Sequence, residues 1–506
     1  MTVVDPGLTA PPAEPAATGR ADPLRRVPPS VRFVLYGALL ILVLTTAEQL
    51  TDTSRLTLAN TWESALQLTV PIALAGLGGL WSERAGVVNI GLEGMMVLGT
   101  WMGAWGCIEF GAWAGVVAGV LGGALGGLLH AVATIAFGVD HIVSGVAVNI
   151  LGAGIAQFLN LETFASTNQS PTIPENVGRI RVPGLNDVVG GVAGGDLTSG
   201  SLLAWLALST AGLVAAALWF HPGRASDDGD GGDGDGDGRG SGGGVARLAA
   251  DLARPALLGA LAVVVALTII ELAPYLDDQE RFFVSELGRI VIGLTAEVSL
   301  VVVVGVLAFP ASAFVLWRTK FGLRLRAVGE DPVAAASLGV WVYLTRFVAV
   351  TISGALAGLG GVSLVYVFAQ KFQSGQTNGR GYIGLAAMIF GNWRPGGLAV
   401  GAGLFGFTDA LSLQEAETTR TLLLVVALGA ILLVARALVT GRWRTAAATV
   451  AAGLLAVGWF SAIDQLPTEV VVFLPHLTTL LVLTFASQRL RPPAADGRPY
   501  RRGDTG

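Results

Sequence analysis

The sequence is poor in the residues that build most soluble chemistry. One cysteine, Cys107, excludes an internal disulfide and any cysteine-based metal cluster. The four histidines, His130, His141, His221 and His476, are scattered, with no spacing that suits a metal or pairs them with an acid and a nucleophile. Lysine is almost missing. Lys320 follows Thr319 and Lys371 follows Gln370, so neither completes the Gly-Lys-Ser/Thr of a nucleotide-binding P-loop. Any ATP hydrolysis has to occur in another subunit. Only 13% of residues are charged, and because they gather between apolar runs the net charge of -5 says little.

What the chain does have is apolar length. Hydrophobic residues make up 53% of 506, mean hydropathy is +0.65, and there are 70 glycines. A bilayer core needs about 20 apolar residues per helix, and many such runs occur, so an all-α polytopic membrane protein is expected. Residues 1–30 are Pro- and Ala-rich with no apolar core, and read as a disordered cytoplasmic tail rather than a cleavable signal. Apolar segments follow at 33–47, 65–81, 111–137 and 141–160. The glycines at 122, 123, 126, 127, 145, 152 and 154 suit close helix packing in lipid. A polar stretch at 161–200 carries two arginines and is placed outside.

Residues 82–106, SERAGVVNIGLEGMMVLGTWMGAWG, form an apolar run interrupted by Asn89, Gly91, Glu93 and Gly94. A carboxylate inside a membrane helix is expensive unless it is paired or faces water. Two readings stay open: Asn89 and Glu93 border a polar translocation path, or Glu93 pairs with Arg84 and closes a packing site. His141, Ser144 and Asn149 are further polar groups in a membrane segment. They suit packing or helix ends, and Asn149 is kept as a path candidate.

Two segments, at 201–220 and 256–276, bracket DDGDGGDGDGDGRGSGGG. Asp233, Asp235, Asp237 and Gly238 match the start of a calcium loop, but its twelfth position is Gly244 rather than Glu and no helix pattern flanks it. A flexible solvated linker is the expectation, with no metal or other cofactor.

Residues 318–346, RTKFGLRLRAVGEDPVAAASLGVWVYLTR, hold five cations, Arg318, Lys320, Arg324, Arg326 and Arg346, between apolar segments that end at Trp317 and resume at Phe347. Such a loop marks the cytoplasmic side. Asp331-Pro332 reads as an N-cap followed by Pro at the first helical position, Val333 to Leu338 as a short helix, and Gly339 as its stop. A solvated loop whose charges only fix topology accounts for this composition; a docking handle also would.

GLRLRAVGEDPVAAASLGV resembles the cytoplasmic coupling segment of ATP-binding cassette importer permeases. More narrowly it is similar to the nucleoside and simple-sugar branch of the branched-chain amino acid/ribose-type superfamily. ERAGVVNIGLEGMM, VDHIVSGVAVNILGAG and GRGYIGLAAMIFGNWRPGG carry the same resemblance, as does LPTEVVVFLPHLTTLLVLTF; together it covers about 60–195, 288–412 and 463–502. The resemblance implies that the short helix seats in a groove of the ATPase, with Gly329, Glu330, Asp331, Pro332, Ala334, Ala335, Ala336 and Gly339 as coupling residues. It implies four partners or surroundings: a cytoplasmic ATPase, a second permease subunit, an extracytoplasmic substrate-binding lipoprotein, and membrane lipid. No nucleic acid is expected. The cargo it implies is a nucleoside or simple sugar, and the polar 161–200 stretch becomes an external gate or docking surface.

The expected layout is the tail 1–30, core 31–195, an inserted helical pair 196–287 around the linker 222–250, and core 288–412 with the coupling loop 318–346. A second inserted pair at 413–462, a last core helix at 463–488 and a basic cytoplasmic tail at 489–506 complete it. Counting about 14 segments, a core of about ten helices plus two pairs, places both termini and nearly all arginine-rich loops inside a bacterial plasma membrane. An ion-coupled carrier should instead carry several acids deep in its helices, and only Glu93 qualifies. A membrane-embedded enzyme needs a polar catalytic cluster, and none is legible.

Overall fold

The computed structural model describes residues 29–51, 56–181, 289–290, 293–294, 297–413, 416–439, 443–462 and 490–501. The first inserted pair with its Asp-Gly linker, and the last core helix at 463–488, lie outside the described residues. In chain order the helices are α1 (Pro29–Thr51), α2 (Ala59–Glu83), α3 (Leu92–Phe110), α4 (Ala112–Ala131) and α5 (His141–Phe164). Strands β1 (Arg179–Arg181) and β2 (Glu297–Ser299) pair antiparallel, Arg179 opposite Ser299 and Arg181 opposite Glu297. Then come α6 (Leu300–Arg318), α7 (Lys320–Glu330), α8 (Pro332–Ser337), α9 (Val342–Leu364), α10 (Arg380–Phe390), α11 (Pro395–Leu411), α12 (Ala416–Val439) and α13 (Trp443–Ala462). α4 and α9 each end in one wider turn, Val132–Ala136 and Val365–Ala369.

Six helical stretches among the described residues are long and apolar enough to cross a membrane. They are Ala59–Glu83, Ala112–Ala136, His141–Phe164, Leu300–Arg318, Val342–Ala369 and Thr421–Leu438. The outer face of α5 fits lipid: Val143, Leu151 and Phe158 are all exposed.

α2 and α9 form the centre. α9 packs on α2, α3 and α4, while α10 and α11 pack on α2. Lipid tails are as apolar as leucine, so burying leucines cannot by itself hold such helices together; close contact between backbones can. Hence the glycines expected to pack do so. A Cβ on Gly123 would strike the backbone of Gly354 and Gly358, and one on Gly358 would strike Gly119 and Gly123. The α4–α9 crossing is backbone against backbone, a separation no larger residue permits.

Residues 297–299 are extended and the helix that ends at Arg318 starts at Leu300. Their partner strand, 179–181, comes from the polar stretch that follows α5. One expectation is corrected here: the basic stretch after Trp317 is not a loop. Thr319 accepts from the Gly322 N–H at 3.1 Å and caps α7, which buries Leu325 and Val328 and turns its arginines outward or along the core. The next cap is as expected. Asp331 Oδ1 accepts from Val333 and Ala334 N–H at 3.0 and 2.9 Å, Pro332 opens α8, and Gly339 follows with φ +81°, a value that suits glycine.

Candidate functional site

α3 does not continue α2. Residues 84–91 break the apolar run, and both path candidates in this region are explained by how the break is held. Asn89 is buried; its Nδ2 donates to Ser353 Oγ at 2.9 Å and its Oδ1 accepts from the Gly91 N–H at 3.0 Å. Asn149 on α5 accepts from the Gly94 N–H at 2.7 Å and donates to the Ile90 carbonyl at 3.0 Å. Two asparagines thus satisfy backbone groups that a broken helix leaves open.

Glu93 lies one residue inside α3 and faces the start of α10. Its Oε1 accepts from the Gly379 N–H at 2.9 Å and its Oε2 from the Gly381 N–H at 2.7 Å. A helix N-terminus carries partial positive charge and unpaired N–H groups, so it compensates a carboxylate where water is scarce. Glu93 therefore does not pair with Arg84, which corrects the packing alternative. Arg84 instead donates to the Trp393 carbonyl at 2.6 and 3.1 Å and lies 3.8 Å from Glu330. α10 itself, at 11 residues, is about 16 Å long, half the roughly 30 Å of a hydrocarbon core. A half-length helix aimed at a carboxylate from its N-terminus is the geometry in which irregular backbone lines a cavity.

That cavity is present. It has a volume of about 490 Å³ and lies between α3, α5, α10 and the 370–378 loop. Glu93, Asn149, Gln157, Ser374, Thr377, Asn378 and Tyr382 supply its polar lining, with Val97, Val146 and Ile150 among its apolar wall. Tyr382 Oη receives the Asn149 Nδ2 donor at 2.9 Å, and Gln157 Nε2 donates to Ser374 Oγ at 2.8 Å. Glu93 is the one charged residue in that lining, and both its oxygens are already engaged. The described part of the 161–200 stretch closes over the same end: Ser170 N–H bonds the Phe372 carbonyl at 3.0 Å, and Ile173 N–H the Gln370 carbonyl at 2.7 Å.

The cavity unites Glu93 and Asn149 but not Asn89, which is sealed in the packing beside it. Sequence reasoning missed Gln157, Ser374, Thr377, Asn378 and Tyr382. The signal was available in KFQSGQTNGRGY, a polar run between apolar helices that the 380–397 motif continues. It also missed the pair Arg380–Asp409, at 2.6 Å, which ties α10 to α11. Neither described histidine stands alone; His221 and His476 lie outside the described residues. His130 sits 2.8 Å from Ser144 Oγ and 3.0 Å from the Val88 carbonyl, while His141 accepts from the Val88 N–H at 3.2 Å. Both groups of Val88 are satisfied, so this buried cluster pins the helix break.

The eight residues expected to couple differ in exposure. Glu330, Asp331, Ala334 and Gly339 are exposed, as are Val333, Ser337 and Leu338 beside them, Leu338 at 85% and the nearby Trp341 at 77%. Ala335 points the other way, 3% exposed and packed with Val328 and Val342. Gly329 is buried and its carbonyl accepts from Ala495 N–H, whereas Glu330 is exposed with one oxygen 3.8 Å from Arg84. Ala335 thus lies on the inward side of α8.

The chain matches the family described as branched-chain amino acid transport system / permease component over residues 62–221 and 248–435. It belongs to this family. Among curated relatives it is similar to the guanosine ABC transporter permease protein NupQ of Bacillus subtilis, 28% identical over 87% of this chain and 96% of that one. It is similar also to the nucleoside ABC transporter permease protein NupC of Lactococcus lactis, 29% identical over 68% of this chain and 79% of the relative. The putative glucose ABC transporter permease protein TsgC13 of Haloferax volcanii is 27% identical over 71% and 78%. No solved structure matches the chain. The protein is accordingly a multi-pass plasma-membrane permease subunit of an ATP-binding cassette importer; it is not an enzyme, and hydrolysis belongs to a partner ATPase.

Proposed function

We propose that this subunit translocates nucleosides, and that the cavity between α3, α5 and α10 is where they bind. The observation that carries the reading is the charge state of the lining. An amino acid presents a carboxylate and an ammonium and needs both countered. This lining offers one charge, on Glu93, already spent on two backbone N–H groups, and otherwise amides, hydroxyls and a phenol. Such groups match the hydroxyls and ring heteroatoms of a neutral, polar solute. Two relatives named for nucleoside transport agree, and one named for glucose is neutral-solute transport too. The same engagement of Glu93 argues against an ion-coupled carrier, which needs a carboxylate free to take up a proton or cation.

In this reading α8 seats in the ATPase through its exposed face, a second permease subunit completes the path, and a substrate-binding lipoprotein delivers cargo to the end capped by the 161–181 and 370–376 segments. Both termini are cytoplasmic, and the core of about ten helices carries two added pairs. The test is uptake of radiolabelled guanosine by cells expressing the full importer. We expect ATP-dependent uptake that unlabelled nucleosides compete and leucine does not. Leucine import with no guanosine import overturns the proposal, and glucose import alone moves the cargo to sugars.

A further inference from the structure

The segment after the last core helix reads as a basic tail, yet residues 490–501 cross the end of the bundle where α7 and α8 lie. Every few residues they bond to a different element. Arg491 N–H donates to Asn392 Oδ1 at 2.8 Å, in the turn between α10 and α11. Ala494 N–H donates to Glu330 Oε2 at 3.2 Å and Ala495 N–H to the Gly329 carbonyl at 2.9 Å, at the junction of α7 and α8. Arg346 Nη1 donates to the Arg498 carbonyl at 3.2 Å, and Tyr343 Oη to the Tyr500 carbonyl at 3.3 Å, both from the first turns of α9. Asp496 lies against Glu83 at the end of α2 and near Arg346. Ala495 is buried, and the Tyr500 ring lies tilted against Tyr343, centroids 5.5 Å apart, and packs on the cluster of Val328, Ala335 and Val342 that seats α8.

A basic tail needed only for topology has no reason to make these bonds. Six residues of α8 cannot hold an orientation alone, because a helix that short is unstable without tertiary support. Its inward side offers one buried residue, Ala335. The tail supplies the missing side of the seat. We propose that residues 490–501 are a strap that positions α8 against α2 and α9, so that motion of α8 reaches the membrane core, with Ala495 and Tyr500 as its positioning residues. This rests on the reading of α8 as the coupling element.

The experiment uses the importer co-purified with its ATPase, in four versions: wild type, deletion of 490–506, Tyr500→Ala and Tyr500→Phe. Amide exchange across Lys320–Ser337 reads the strap directly and needs no view of what α8 touches. Guanosine imported per ATP hydrolysed reads transmission. The deletion and Tyr500→Ala should speed exchange in α7–α8 at least tenfold and lower guanosine per ATP several-fold. Tyr500→Phe keeps the ring and the backbone carbonyl and should restore both. Should the deletion fail to reach the membrane, Tyr500→Ala carries the test. Unchanged exchange in either variant overturns the strap, and faster exchange with an unchanged guanosine-to-ATP ratio overturns its positioning role. Leu338→Glu, on the exposed side of α8, tests the coupling reading separately: retained ATPase and full uptake there overturn that reading, whatever the exchange data give.

Discussion

Replacing Glu93 by Gln keeps the side chain's size, removes its charge and breaks a contact whose worth can be worked from its geometry. Both carboxylate oxygens accept backbone N–H groups at the start of α10, from Gly379 and Gly381. An amide has one acceptor, so one of those N–H groups must meet an NH₂ instead. Leaving a buried donor unsatisfied costs about 1–3 kcal/mol. Losing a negative charge at a helix N-terminus adds about 0.3–1 kcal/mol. Taking about 2 kcal/mol in all, the population in which the 370–381 segment lifts from α3 rises roughly thirtyfold. Amide exchange at Gly379 and Gly381, followed by mass spectrometry on the solubilised protein, should quicken by that order while Val350–Leu364 in the centre of α9 stays protected. Guanosine uptake should fall, since Glu93, Thr377, Asn378 and Tyr382 all line the cavity that this segment shapes. Wild-type exchange at both glycines in Glu93→Gln would refute the reasoning, because the carboxylate would then not be what holds α10.

Asp331→Ala removes the oxygen that accepts from Val333 and Ala334, at a cost of about 1 kcal/mol in α8. It should reach the membrane normally and retain less ATPase on co-purification. Leu338→Glu should strip the ATPase without altering thermal stability of the membrane domain, whereas Ala335→Glu, aimed at Val328 and Val342, should unseat α8 and speed its amide exchange. Burial pushes the Asp496 carboxyl up to about 6. A carboxyl whose folded value is raised binds its proton more tightly when docked, so its contribution is full below the ordinary value and is lost as pH climbs through 6. Glu83, Arg346, Tyr343 and Tyr500 share this pocket. Chymotrypsin cleavage after Tyr500, normalised at each pH to a free peptide of the tail, should be slower at pH 5.5 than at pH 7.5, and Asp496→Asn should flatten the difference.

Much of the fold was legible because membrane helices announce themselves by length and by glycine. The α4–α9 crossing is written as glycines at 119, 123 and 127 on one side and 354 and 358 on the other, and close packing in lipid admits little else. The Asp331 cap and the Gly339 stop were equally plain, being local chemistry. What stayed hidden was long-range. The sequence marks Glu93 as needing compensation, yet the nearest cation in sequence, Arg84, was the wrong partner. The right one is a helix N-terminus 286 residues away, and backbone N–H groups leave no trace in composition. The tail was unreadable for a like reason, since its bonds come mostly from main-chain groups. The inward side of α8 was hidden too, because an alanine in a run of alanines gives no hint that Ala335 is the buried one.

The turn that ends α10 joins the cavity to the opposite end of the bundle. Asn392 and Trp393 both have φ near +54°, a region unfavourable for a tryptophan. Such a conformation persists only where its surroundings over-determine it. Here the Trp393 indole N–H donates to Glu83 at 2.6 Å, its carbonyl takes two bonds from Arg84, and Asn392 accepts from the strap. One rigid helix of 11 residues therefore runs from Glu93, beside the cavity, to a turn clamped by the elements that seat α8. If α10 transmits between those ends, its two anchors cannot act independently. Trp393→Phe keeps a smaller aromatic ring but leaves Glu83 without its indole donor, and should lower guanosine per ATP while sparing membrane abundance. Combined with Glu93→Gln it should cost less than the two single losses together, by more than about 0.5 kcal/mol, because a lever freed at one end has less to lose at the other. Strict additivity in that cycle would mean that the cavity and the α8 end communicate through α2 and α9 instead, and α10 would be only a wall.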